Sequence, residues 1–267
     1  MTPTTRSAPS PVLLDAPPDP IPFGRVVTTE LRKAFDTRSG LWLLVAVATT
    51  AALASAGVAL WASEEFLTFE TFATAVGVPM SFLLPVIAVL SVTSEWSQRT
   101  GLTTFTLVPR RSRTIAAKAV AMLGVAVVSM LVAMGIGALG TVAGSALRDV
   151  EPTWDTSAVM LATTVLAQVL SVAVGFVLGL VMRQSAAALV GYFVFAFVLP
   201  PISQVLAVTQ DWFADVQGWV DFGFTQTKLY DTDLSGREWW QLATVVTLWL
   251  VVPAAVGLWR LRRAEVA

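Results

Sequence analysis

The chain has 267 residues, 55% hydrophobic and only 13% charged, with a formal net charge of −1 and a mean hydropathy of +0.72. A soluble domain carries roughly a quarter charged residues, so this is the composition of a membrane protein. Cysteine and histidine are both absent, which excludes disulfides, thiolate or imidazole catalysis and most zinc or haem ligation.

Residues 1–22, MTPTTRSAPSPVLLDAPPDPIP, hold half of the fourteen prolines and lack the unbroken apolar core of a secretory signal. They read as a disordered cytoplasmic tail. The next segment, residues 23–39, repeats Phe23, Val27, Leu31 and Phe35 every four residues, while Arg25, Arg32, Lys33 and Asp36 take other faces. That pattern predicts an amphipathic helix lying among lipid headgroups and leading into the first span.

Charge-free runs follow at about residues 40–62, 71–94, 119–147, 156–182, 184–210 and 239–259. Each exceeds the ~20 residues that a helix needs to cross a hydrocarbon core of about 30 Å. The predicted fold is therefore all-α, with six transmembrane helices within 40–263. Pro200 and Pro201 leave the fifth run with two readings, one continuous crossing or a helix to Leu199 followed by short surface helices. After it, DWFADVQGWVDF places Trp212, Phe213, Val216, Trp219 and Val220 at helical spacing among Asp211, Asp215 and Asp221. This fits either an aromatic belt of short extracellular helices before the last span or a loop near the membrane.

Sorting basic residues between the two alternating sets of loops leaves only Arg148, Lys228 and Arg237, of seventeen, on one side. Positive charge stays inside, so both termini and the 94–118 loop are expected in the cytoplasm. No Asp, Glu, Lys or Arg falls within a span, where each would cost ~2.5–3.5 kcal/mol on insertion scales. Ion-coupled pumping and intramembrane aspartyl proteolysis are thereby disfavoured. A Gly-Lys pair is also missing, and with it any GxxxxGK[ST] phosphate loop. The chain reads as a non-enzyme without cofactors of its own, and nothing points to a nucleic-acid partner.

The loop SEWSQRTGLTTFTLVPRRSR, residues 94–113, sets an acid, a tryptophan, four arginines and a proline between two long apolar runs. Its start predicts a short helix capped by Ser94 and ended by Gly101, with Glu95 and Arg99 in the favourable order four residues apart. Trp96 and Thr100 would share a neighbouring face, suited to protein contact. Pro109 then stops the chain, and Arg110, Arg111, Arg113 and Lys118 form a basic cluster placed for anionic headgroups.

These features together resemble the membrane subunits of type-2 ATP-binding-cassette exporters (ABC-2 permeases). The likeness runs from Phe23 to Arg263 and is carried by VVTTELRKAFDTRSGLW, by SEWSQRTGLTTFTLVPRRSRTIAAKAVA, and by a fifth span followed by broken outer helices. The resemblance implies a multi-pass bacterial plasma-membrane permease that works as a dimer and is driven by a separate cytoplasmic ATPase, which binds the ATP and magnesium. By the same resemblance Glu95, Trp96, Arg99 and Thr100 form a coupling helix touching that ATPase, and Glu30, Arg32 and Lys33 on the connecting helix flank the contact. The second and fifth spans would line the path, with Pro79, Pro85, Pro200 and Pro201 read either as hinges or as ordinary membrane-helix prolines. The pairs Gly140/Gly144 and Gly175/Gly179 suit close packing within the chain, and Gln168 an interhelical hydrogen bond. Apolar walls without fixed charge predict export of an amphipathic or hydrophobic cargo. A secondary transporter or channel and a non-transporting membrane anchor are the rival readings.

Overall fold

The computed structural model describes residues 21–36, 38–97, 111–231 and 234–263. Nine helices longer than one turn occur among these residues. The first five are α1 (Phe23–Asp36), α2 (Arg38–Trp61), α3 (Phe69–Ser97), α4 (Arg111–Arg148) and α5 (Ala158–Met182). Helix α6 runs through Ser185–Phe193, a π-helical segment Val194–Val198 and Leu199–Thr209, and the short α7 (Asp211–Val220) and α8 (Phe222–Thr227) follow it. Helix α9 joins Gly236–Val246, a π segment Thr247–Val251 and Val252–Arg263. The only β contact among the described residues is an isolated Thr68–Thr153 bridge.

Five of these helices, α3 to α6 and α9, are long and apolar enough to cross a membrane, and α2 adds a shorter apolar stretch, Val45–Trp61, within its 24 residues. The chain is an all-α, multi-pass membrane protein. At 38 residues α4 reaches about 57 Å, well beyond a hydrocarbon core, so its ends stand outside it.

Where α3 meets α5, glycine sets the separation. A Cβ on Gly175 would lie 2.5 Å from the carbonyl oxygen of Pro85, and one on Gly179 3.3 Å from that of Val89. Gly140 and Gly144 do the same for α4, whose backbone rests on the ring of Phe72, fully buried at 0% exposure. Both GxxxG pairs therefore serve packing within the chain.

The fifth run is one helix, not a helix with broken pieces, and its prolines explain how. Pro200 and Pro201 remove two amide donors and press their rings toward the carbonyls of Ala196 and Phe197. The π segment just upstream, in which the Leu199 N–H reaches back to the Val194 oxygen, widens the turn and absorbs that clash. Pro253 in α9 is preceded in the same way, with the Val252 N–H bonded to Thr247.

At one end of the bundle the α2–α3 and α4–α5 connections are joined. Arg148 donates to the Leu60 oxygen at 2.6 Å, the Glu70 N–H donates to Asp155 Oδ1 at 2.9 Å, and the Phe69 and Trp154 rings lie 5.5 Å apart. The segment 211–227 caps the same end as helices, not as a loop. Asp221 caps α8 through the Phe224 N–H and also accepts from the Ser203 hydroxyl, while Gln226 Nε2 donates to the Ala167 oxygen and to Ser171 Oγ, each at 2.6 Å. Trp212, Val216 and Val220 remain exposed, the pattern of an interfacial belt.

Candidate functional site: the junction at the end of helix 3

The opposite end of the bundle gathers most of the residues singled out in the sequence. Helix α1 packs on α4 and α2, burying Val26 and Glu30 and laying Val27 and Leu31 against the core. It is docked on the bundle along a face that carries Val26 and Glu30 together with Val27 and Leu31 of the expected stripe, while Phe23 stays 38% exposed.

Glu30 is 4% exposed and sits between two ammonium groups, Lys33 Nζ at 2.6 Å and Lys118 Nζ at 2.9 Å. Lys118 also donates to the Ser91 carbonyl of α3 at 3.0 Å. One buried ion cluster thus ties α1, α3 and α4 together. Burial pushes the Glu30 carboxyl up, but Lys118 and then Lys33 outweigh it and hold the group below its ordinary value.

Two expectations are corrected here. Lys118, 5% exposed, is not part of a headgroup-facing basic cluster, because α4 starts at Arg111 and carries Lys118 two turns inward against Glu30. Glu30 likewise faces the protein interior and not a flanking surface; Arg32 and Lys33 stay exposed. Arg113 donates to the Ile21 oxygen at 2.7 Å, which fastens the entry to α1. Arg111 is the first residue of α4, whereas Arg110 lies outside the described residues.

Ser94 does not cap a new helix. Residues 94–97 are the last turn of α3, and Ser94 Oγ donates back to the Ser91 oxygen at 2.9 Å, a bond internal to the helix. Glu95 lies on that turn; Arg99, Thr100, Gly101 and Pro109 fall outside the described residues, as does nearly all of the N-terminal tail. Trp96 is half-buried against the core, with the Arg183 guanidinium 5.9 Å from its ring centre. Arg183 adopts a left-handed conformation (φ 54°) that closes α5 and turns the chain into α6 within two residues. Burial and the charge of Arg260 both lower its pKa from the ordinary arginine value. Thr93 adds a hydroxyl contact of 2.8 Å to Ser185 at the start of α6. The last two turns of α3 are thus held by α1, α4, α5 and α6.

Midway along α3, proline leaves a carbonyl to be satisfied. Pro85 has no N–H for the Ser81 oxygen, and Tyr192 of α6 donates its hydroxyl there at 2.9 Å. One residue earlier, Gln168 Nε2 donates to the Met80 oxygen at 3.1 Å, the interhelical bond expected of it. The Ser81–Tyr192 pairing had no signal in the sequence beyond a proline within a span. A cavity of about 360 Å³ opens beside this point between α3, α4 and α5.

Against known families, the model of the ABC-2 family transporter protein matches residues 26–199, from α1 to the prolines of α6. The chain belongs to the ABC-2 transporter family. It is accordingly a permease subunit of an ABC transporter, and permeases of this family work in the membrane with ABC ATPase partners. No curated protein matches the chain.

Proposed function

We propose that this ABC-2 permease is the membrane half of an ATP-driven exporter. In this reading six helices, α2 to α6 and α9, cross a bacterial plasma membrane with both termini cytoplasmic, and two copies form the translocation path. A separate cytoplasmic ATPase engages the segment that begins at Glu95 and Trp96 and continues through Arg99 and Thr100, flanked by Arg32 and Lys33.

The observation that carries this reading is the grip on the end of α3. Held by Lys118 at Ser91, by Arg183 at Trp96 and by Ser185 at Thr93, the last two turns of α3 form a stiff handle that includes Glu95 and Trp96. Displacement there travels along α3 to Pro85, where the broken hydrogen-bond ladder is the compliant point. ATP-driven closure of the partner ATPases would rock the helices about this point between inward- and outward-facing states. The cargo expected from apolar walls is amphipathic or hydrophobic.

Co-purification with a cognate ABC ATPase, comparing the native chain with Trp96→Ala and Glu95→Arg, tests the coupling. Loss of ATP turnover stimulation in both variants is expected; unchanged assembly and turnover in both would remove the coupling role. Vesicles holding this chain alone should not accumulate any solute uphill.

A further inference from the structure

The cavity beside the α3 proline region has an asymmetric chemistry. Its inner wall is apolar and soft, with Met130, Ala133 and Met134 on α4 facing Met160 and Leu161 on α5. Thioethers repack around irregular or aromatic shapes more readily than branched side chains do. Space is held open by Gly77 of α3, where an added Cβ would meet nothing within 4 Å. Glu70 is the only charged group among the lining residues, and its backbone rests on a second carboxylate, Asp155. Among the described residues no lysine or arginine pairs with either. Thr156 at the same wall has a buried hydroxyl without a hydrogen-bond partner.

We propose that this cavity is a binding site within one protomer for a hydrophobic monovalent cation, its apolar body among the methionines and its charge toward Glu70. The volume falls in the range of small-molecule sites, about 300–1,000 Å³. A carboxylate at the mouth attracts a cation and repels an anion of the same shape, and a low-dielectric wall strengthens both effects. The site needs neither an ATPase nor a second copy, so it stands apart from the proposed transport role.

Tetraphenylphosphonium and tetraphenylborate share size and shape but carry opposite charge, which makes them the discriminating pair. With the full chain in phosphatidylcholine nanodiscs, labelled tetraphenylphosphonium should bind saturably, one per chain, and tetraphenylborate should not displace it. Glu70→Gln should weaken binding about three- to tenfold. Glu64→Gln, an exposed carboxylate that does not line the cavity, should leave it unchanged. Gly77→Phe should abolish binding by filling the space, and because it removes a glycine from a helix interior its thermal stability should not fall. Absence of saturable binding, equal displacement by the borate, or native-like affinity in both Glu70→Gln and Gly77→Phe would overturn the proposal.

Discussion

Glu30 shows how one carboxylate can serve structure in a chain with very little charge. Beside Lys118 and Lys33, its buried carboxyl is held below the ordinary value because the two ammonium groups outweigh the effect of burial. Removing one partner strands the other, so Glu30→Gln should destabilise the chain by about 3–5 kcal/mol, whereas the apolar double replacement Glu30→Leu with Lys118→Met should recover most of the loss. Thermal unfolding in detergent micelles would measure both. The pH dependence has a fixed sign. A carboxyl whose folded pKa is lowered contributes stability above its unfolded pKa and loses it as pH falls through the folded value. The stability gap between native chain and Glu30→Gln should therefore shrink only under acid conditions below the ordinary carboxylate range, and stay constant around neutrality. The sequence placed Glu30 on the right helix, but 88 residues separate it from Lys118, and charge sorting by loop cannot reveal which ions pair.

Helices were the legible level, because a lipid-crossing segment must be long, apolar and internally hydrogen-bonded. The runs at 71–94 and 156–182 correspond to α3 and α5 nearly residue for residue. What the pattern missed lies where the backbone ladder is interrupted. Ser94 looked like a helix cap because serine caps helices, yet it is the continuation of α3. Pro200 and Pro201 left a continuous crossing and a broken one both open, and a π segment carries α6 through them. At Pro85 the replacement for the missing donor comes from a tyrosine 107 positions away in sequence, on α6. This gives a double-mutant test. Tyr192→Phe leaves the Ser81 carbonyl without its partner and should cost about 1–3 kcal/mol. Pro85→Ala supplies an amide that can bond the same carbonyl, so adding it to Tyr192→Phe should restore stability in thermal unfolding. If the two changes are simply additive losses, the hydroxyl is not replacing the missing helix bond.

For the whole molecule the proposed dimer requires one face to meet a second copy. Of the five longest apolar helices α6 is the least buried within its own chain. Val190, Val194, Ile202 and Val205 project from it, and Phe197 stacks on Phe82 of α3 at 4.8 Å, extending the same apolar face onto the second expected path-lining helix. Helix α4 also exposes large apolar residues, among them Leu131 and Leu139, so exposure alone does not separate an interface from a lipid-facing surface. Symmetry does. In a two-fold dimer a residue near the axis faces its own counterpart, so a single cysteine there links two identical chains, whereas one on a lipid-facing helix has no counterpart within reach. The native chain contains no cysteine, so every such variant is unambiguous. Single cysteines at Val190, Val194, Ile202 and Val205 should include at least one that a short bis-maleimide converts to a covalent dimer in native membranes, and those at Leu131 and Leu139 should remain monomeric on denaturing gels. The reverse result, linkage through α4 and none through α6, would move the translocation path away from α3 and α6, and the compliant point at Pro85 would no longer stand beside it.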